Sequence, residues 1–199
     1  MIDFINLSNT APYKKFNNFY NHAIEAGQLN IEAVCISSFN SDRNEVESRY
    51  VNLKYIKDNK WIFFSNFNSK KANDFKTHDQ ISALFYWPIT NIQIRLKGKI
   101  SKIDNSFSDH HYQRRTIEKN AIAHSSNQSS IIKSYQEVIK NYSNALANLE
   151  NVMKRPANWG GYYFIPYYFE FWEGHESRIN KREVYEIKSN EWVNYYLQP

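Results

Sequence analysis

At 199 residues with a single cysteine, Cys35, the chain excludes an intrachain disulfide and the cysteine-rich metal frameworks, and it is long enough to bury a core without them. Hydrophobic residues make up 42% and aromatic residues 17%, a load that argues for strands and stacking surfaces and against disorder. The formal charge of +5 leaves two ligand classes open, nucleic acids and small phosphorylated molecules.

In chain order, Met1–Asn6 lacks a basic segment leading into a long apolar run, and no later stretch approaches the ~20 apolar residues of a membrane span. With Cys35 alone, this leads to the expectation of a cytoplasmic protein that neither enters nor crosses a membrane. Pro12 stands where a first helical turn would begin, after the possible caps Asn9 and Thr10. Phe16, Phe19, Tyr20, Ala23 and Ile24 then recur at helical spacing up to Gly27.

From Ile31 the texture changes to short β-rich runs, at 31–38, 46–56, 61–65, 81–87 and 92–103, separated by polar turns with hairpin chemistry. Helices are expected at 69–77 and about 107–115. A longer helix is expected to carry Ile131, Tyr135, Val138, Ile139, Tyr142, Leu146 and Leu149, a stripe for the core or a subunit interface. After Trp159-Gly160-Gly161 strands return at 162–172, 182–187 and 192–197. The pattern predicts one mainly β domain over 1–199, an antiparallel barrel with helical decoration, with an N-terminal helical segment to about residue 28.

No dinucleotide fingerprint, phosphate loop or nucleophile elbow is present. His110, His111 and His124 have no accompanying cysteine or carboxylate set, so no metal site is predicted. Lys70 and Lys71 open the helix expected at 69–77. Cations there oppose the helix dipole, so either an anion rests on the free N–H groups or the pair is simply solvated. Strict alternation sends Arg49 and Lys54 to opposite faces of their strand. Gln93 is either a solvent-facing residue or an amide for the edge of a planar heterocycle. The basic run Arg95 to Lys99 after Phe85-Tyr86-Trp87 allows nucleic-acid binding, but no recognised nucleic-acid module accompanies it.

Taken together, Arg49-x-Val51-x-Leu53-Lys54, Phe64-Ser65-Asn66-x-x-Ser69-Lys70-Lys71-Ala72, Gln93, Gln128-Ser129-Ser130, Trp159-Gly160-Gly161-Tyr162, Glu170-Phe171-Trp172 and Arg178-x-x-x-Arg182 resemble the pyridoxine/pyridoxamine 5′-phosphate oxidase family from about Pro12 onward. The resemblance implies an FMN-binding split β-barrel, a homodimer with FMN at the subunit interface, and about 159–199 as a dimerisation and substrate segment. It implies an FMN site of Arg49, Lys54, Phe64, Ser65, Lys70, Lys71, Gln93, Gln128, Ser129, Trp172 and Arg182, with Lys70 where arginine is usual and Phe64-Ser65 where Tyr-Thr is common.

It also implies oxidation of pyridoxine or pyridoxamine 5′-phosphate to pyridoxal 5′-phosphate by oxygen. The substrate phosphate would lie on Lys54, His111, Arg115 and Lys119, with Arg178 and Asn180 over its ring. His111 replaces a usual tyrosine, Lys119 a usual serine and Asn180 a usual histidine. The chain also begins after the point where typical members carry a basic-aromatic arm over the substrate. These departures share the substrate side. They favour altered substrate choice or weaker turnover and leave open a phenazine-biosynthesis-like oxidoreductase or a non-catalytic FMN or pyridoxal-phosphate carrier.

Overall fold

The computed structural model describes all 199 residues. A short strand, β1 (Asp3–Ile5), precedes α1 (Ala11–Glu25), whose first turn holds Pro12 and whose inward face buries Tyr13, Phe16, Tyr20 and Ala23. The helix ends where expected. Ala26 caps it and Gly27 adopts φ 81°, a left-handed conformation that glycine takes without a Cβ penalty.

β2 (Ala33–Asn40) and β3 (Glu45–Asn52) form a hairpin, followed by β4 (Tyr55–Lys57) and β5 (Lys60–Asn66). The single strand expected over 46–56 is thus two, because the chain changes partner at its middle. The Leu53 amide donates to the Glu32 carbonyl on the β2 side, while the Lys54 amide donates to the Ile62 carbonyl of β5. Alternation therefore does not carry through from Arg49 to Lys54.

α2 (Lys70–Thr77) leads into β6 (Gln80–Trp87) and β7 (Ile92–Lys102), which alternate buried and exposed residues as a half-buried strand pair should. α3 (Asn105–Gln113) follows, and then α4 (Ile117–Ser125), which the periodicity did not signal. The long helix expected over 131–149 is instead α5 (Tyr135–Leu146) and α6 (Leu149–Val152). Ser134 caps the first by accepting from the Glu137 amide, and Asn148 caps the second by accepting from the Asn151 amide. No residue of α5 is buried, so its apolar stripe is not core. β8 (Trp159–Glu173), β9 (Lys181–Lys188) and β10 (Glu191–Leu197) complete the chain.

All ten strands form one sheet in the order β1-β4-β5-β8-β7-β6-β2-β3, with β9 added to β8 and β10 to β9; only the β1–β4 pair is parallel. β8 is the spine, bonding β5 through its first residues, β7 along most of its length and β9 through its last. The sheet curls around an aromatic core in which Phe16, Trp61, Phe63, Phe85, Phe164, Phe169 and Phe171 have no exposed surface. Phe16 of α1 meets Trp61 edge-on at 4.5 Å, so α1 plugs the curl. Removing a ring of this kind costs about 3–5 kcal/mol.

The expected barrel does not close. β3 comes beside β5 with no ladder between them, which leaves a split flanked by Tyr50, Val51 and Asn52 on one side and Phe64 and Ser65 on the other. No helix is long and apolar enough to cross a membrane.

Candidate active site

The split between β3 and β5 opens into a cleft of about 450 Å³, roofed by α3, α4 and the segment before α5. Lys54, Lys71, Arg114, Arg115 and Lys119 line it and no carboxylate does.

At its inner end, Ser69 caps α2 and Lys71 turns back under the strand end. Lys71 Nζ donates to Ser65 Oγ at 2.9 Å, Gln128 Oε1 at 3.1 Å and Ser69 Oγ at 3.3 Å. Burial, and next the Arg49 charge, bring its pKa down to about 8, against the opposing pull of Asp74. Arg49 donates to Ser38 Oγ at 2.6 Å and lies 3.6 Å from Asp74 Oδ2 and 3.3 Å from Glu47. Asp74 is fully buried and also accepts from Ser38 and Asn40, so it braces Arg49 from beneath. Lys70, one residue earlier, is exposed.

The outer end is a stack. The rings of Phe64, His111 and Trp159 lie within 9° of parallel, with centroids 3.8 Å apart for Phe64–His111 and 5.3 Å for Phe64–Trp159. The Arg115 guanidinium lies 4.3 Å from the Trp159 centroid. Gly160 and Gly161 make room for this. A Cβ on Gly160 would come 2.6 Å from the Phe67 ring, and one on Gly161 would meet Ile103 and the edge of Phe64. Arg115 Nη2 donates to the Lys119 carbonyl at 2.7 Å, while Nη1 is buried without a partner. Burial, then the charges of Arg115, Lys54, Arg114 and His110, hold the His111 pKa down at about 3, so its imidazole is neutral at physiological pH. Tyr55 Oη meets His111 Nδ1 at 2.8 Å.

Eight of the residues singled out from the sequence thus come together around one cleft: Lys54, Phe64, Ser65, Lys71, His111, Arg115, Lys119 and Gln128. Ser129, at φ 73°, is exposed beside it in a hollow shared with Ile131 and Val138.

Gln93, Trp172 and Arg182 are elsewhere, side by side in register across β7, β8 and β9. Trp172 is thirteen residues beyond Trp159 on the same strand, roughly 40 Å along an extended chain. There the fully buried Glu170 takes Arg182 at 2.8 Å, Arg95 at 2.8 Å and the Tyr168 hydroxyl at 3.0 Å. Arg178 is exposed in the following loop with φ 62°, and Asn180 Oδ1 accepts from the His175 amide within that loop. The basic run after Trp87 is largely spoken for: Arg95 by Glu170, Lys99 by Asp79, and Lys97 by the Tyr168 ring.

Tyr55, Trp159, Arg114 and Asp74 were not singled out for the site. The Trp-Gly-Gly triplet carried a signal for Trp159, since paired glycines mark a close approach. Tyr55 and Asp74 had none, because their partners are distant in sequence.

Residues 21–145 match the family described as pyridoxamine 5′-phosphate oxidase, and residues 159–199 match the pyridoxine 5′-phosphate oxidase C-terminal dimerisation region. A pyridoxine/pyridoxamine 5′-phosphate oxidase of Cytophaga hutchinsonii is 36% identical over 193 residues, 95% of this chain and 89% of that protein. One of Leptospira biflexa is 32% identical over 189 residues, 94% of this chain and 89% of that protein.

Among solved structures, PhzG from Burkholderia lata in complex with tetrahydrophenazine-1-carboxylic acid superposes with a TM-score of 0.89 at 26% identity, covering 94% of this chain and 92% of its own. A pyridoxamine 5′-phosphate oxidase-related, FMN-binding protein of Nostoc punctiforme, 14% identical, shares the fold at a TM-score of 0.78, covering 96% of this chain and 100% of its own. These findings define an FMN-dependent oxidoreductase. The chain belongs to the pyridoxine/pyridoxamine 5′-phosphate oxidase family.

Proposed function

We propose that two copies of this chain enclose FMN and oxidise pyridoxine or pyridoxamine 5′-phosphate to pyridoxal 5′-phosphate. The observation that carries the reading is the orphaned Nη1 of Arg115 in a cleft with five cationic side chains and no carboxylate. Buried donors of this kind are stabilised by an anion that can accept from several at once, and a phosphate monoester does so.

The donor set suits FMN as well. Lys71, Ser65 and Gln128 converge on one point, with the Arg49 charge acting on Lys71 from nearby, a combination that fits a phosphate and a hydroxylated chain. FMN, when bound, supplies the two-electron acceptor that the protein's own side chains lack. Gln93, Trp172 and Arg182 lie too far along β8 to reach that cleft in the same protomer, so they would come from the second copy, and the match of 159–199 to a dimerisation region supports this. Phe64, presenting a flat face in the split, would border the flavin.

On the substrate side Lys54, Arg115, Lys119 and neutral His111 line the same cleft and would serve as donors for the substrate phosphate. Fixing the phosphate fixes where the C4′ carbon sits, which is the protein's contribution to rate. That carbon loses two electrons and a proton together with its hydroxyl or amine proton. Water then releases ammonia from the amine substrate, and oxygen takes the electrons as hydrogen peroxide. Arg178 would orient the substrate ring, and Asn180 would act by hydrogen bonding alone.

A second reading is favoured by one observation: the Asn180 side-chain oxygen is already engaged by its own loop, and histidine is absent there. A relative acting on another planar substrate would tolerate this, and PhzG in complex with a tetrahydrophenazine acid is the structural neighbour that supports it. The visible spectrum of the purified protein, followed by anaerobic addition of pyridoxine 5′-phosphate and pyridoxamine 5′-phosphate, decides. A flavin spectrum that bleaches is the expected result. A flavin spectrum that persists with both moves the function to a different planar substrate or to a flavin or pyridoxal-phosphate carrier. A protein that takes up no FMN overturns the cofactor assignment.

A further inference from the structure

We propose that Tyr55 is a positioning residue for this site: its phenol donates to His111 Nδ1 and so holds the imidazole as the tautomer whose Nε2–H serves the substrate phosphate. The inference deepens the function proposed above and rests on its phosphate reading of the cleft.

The geometry leaves the imidazole little freedom. Phe64 covers one face at 3.8 Å, and the Tyr55 ring stands nearly perpendicular, at 86°, with its hydroxyl 2.8 Å from Nδ1. Tyr55 is itself held. It is 5% exposed, paired to Ile62 on one side and Asp3 on the other, and Phe107 meets its ring edge-on at 5.3 Å. Burial raises the pKa of its phenol above the usual value, so the hydroxyl keeps its proton.

The direction of the bond follows from counting protons. The contact with Nδ1 is the only hydrogen bond that the phenol makes. Were Nδ1 to carry the imidazole proton and donate, the phenol hydrogen would have no protein acceptor. A second proton on the ring is opposed by burial and next by the charges of Arg115, Lys54 and Arg114. The ring therefore carries one proton and carries it on Nε2.

The consequence concerns the substitution of histidine for the tyrosine usual at this position. Tyrosine offers one O–H and no charge. A neutral imidazole offers one N–H and no charge, but only if its tautomer is chosen. Tyr55 makes that choice, so the pair Tyr55–His111 does the work of a single phenol.

Two measurements on the flavin-loaded protein test this. Long-range ¹H–¹⁵N spectra of histidine-labelled protein at pH 7 are expected to show one neutral Nε2–H ring that disappears in His111→Gln, and whose Nδ1 and Nε2 shifts move toward a tautomer mixture in Tyr55→Phe. Pyridoxal 5′-phosphate, used as the probe, is expected to bind Tyr55→Phe ~5–10-fold more weakly, the worth of one neutral hydrogen bond. In the His111→Gln background, Tyr55→Phe should change binding less than twofold. Retained flavin and an unchanged melting temperature in Tyr55→Phe separate this loss from unfolding. An Nδ1–H or doubly protonated His111 in the unmodified protein overturns the proposal, and so do equal losses in the two backgrounds. If the tautomer is as stated but the unmodified protein does not bind the probe, the phosphate role falls together with the function proposed above, while the tautomer assignment stands on its own spectrum.

Discussion

The two ends of β8 treat charge in opposite ways. Near Trp159, Lys54, Lys71, Arg114, Arg115 and Lys119 gather without a lining carboxylate, one guanidinium nitrogen has no partner and one lysine is pushed down to about 8. Near Trp172, the cations Arg95 and Arg182 are both paired with the buried Glu170. An unpaired carboxylate at that depth would be costly, and a pair of arginines satisfies it. What remains there is a half-buried indole and an amide, Trp172 and Gln93, in register. The first end thus presents unpaired donors, and the second an indole and an amide beside a satisfied ion cluster. The two ends are roughly 40 Å apart along the contour of the strand, and under the proposed dimer a second chain brings its own far end to the first chain's cleft.

The largest expected effect breaks the charged end. Lys71→Met removes a buried ammonium that holds Ser65 and Gln128 in place, and should weaken FMN binding by ~100-fold or more, about 3 kcal/mol, read from recovery of free flavin fluorescence. An affinity within a few-fold of the parent would show that the anion lies elsewhere.

The next test sharpens the division between the ends. Arg115→Ala and Trp172→Ala should each abolish most turnover alone. If each active site takes Arg115 from one chain and Trp172 from the other, random mixing of the two variants should restore about a quarter of the parental sites, because a mixed dimer carries one site with both changes and one with neither. No recovery after subunit exchange would mean that both residues serve a site within one chain.

How far the sequence announces this division differs between its parts. The alternation in Ile81, Ala83, Phe85 and Trp87 and the stripe of Phe16, Tyr20 and Ala23 are local, so the strands and α1 are legible from spacing alone. The break between β3 and β4 is not, because it is made by carbonyls of Glu32 and Ile62 on different neighbours. α4 escapes for another reason. Its buried positions are small or polar, Asn120, Ala121 and Ala123, and give no apolar period. In the site, Lys54, Lys71, Arg115 and Lys119 are legible through the family resemblance, while Arg114 is not. Tyr55 and Asp74 were not, since each acts on a residue brought near only by the fold, Tyr55 on His111 and Asp74 on Arg49.

A smaller effect is a pH dependence confined to the cleft end. His111 has a folded pKa of about 3 against an ordinary value near 6.5, so between these values the unfolded chain binds more protons. The neutral ring's contribution is whole above about pH 6.5 and is lost as pH falls toward 3. His111→Gln lacks that proton uptake, so the gap between parent and variant melting temperatures should shift in the variant's favour by several degrees from pH 7 to pH 4.5. A gap that does not move with pH would mean that the imidazole is not held neutral.

The smallest expected effect lies in the loop after the uncharged end. Asn180 accepts from the His175 amide and cannot titrate, so it offers a bound ring no charge. Asn180→His would restore an imidazole above the substrate at the cost of that loop bond. If the missing imidazole limits the reaction, kcat with pyridoxine 5′-phosphate should rise by up to ~10-fold while the flavin affinity stays unchanged, since residue 180 is assigned to the substrate ring and not to the flavin. An unchanged kcat would show that asparagine at this position does not limit the reaction.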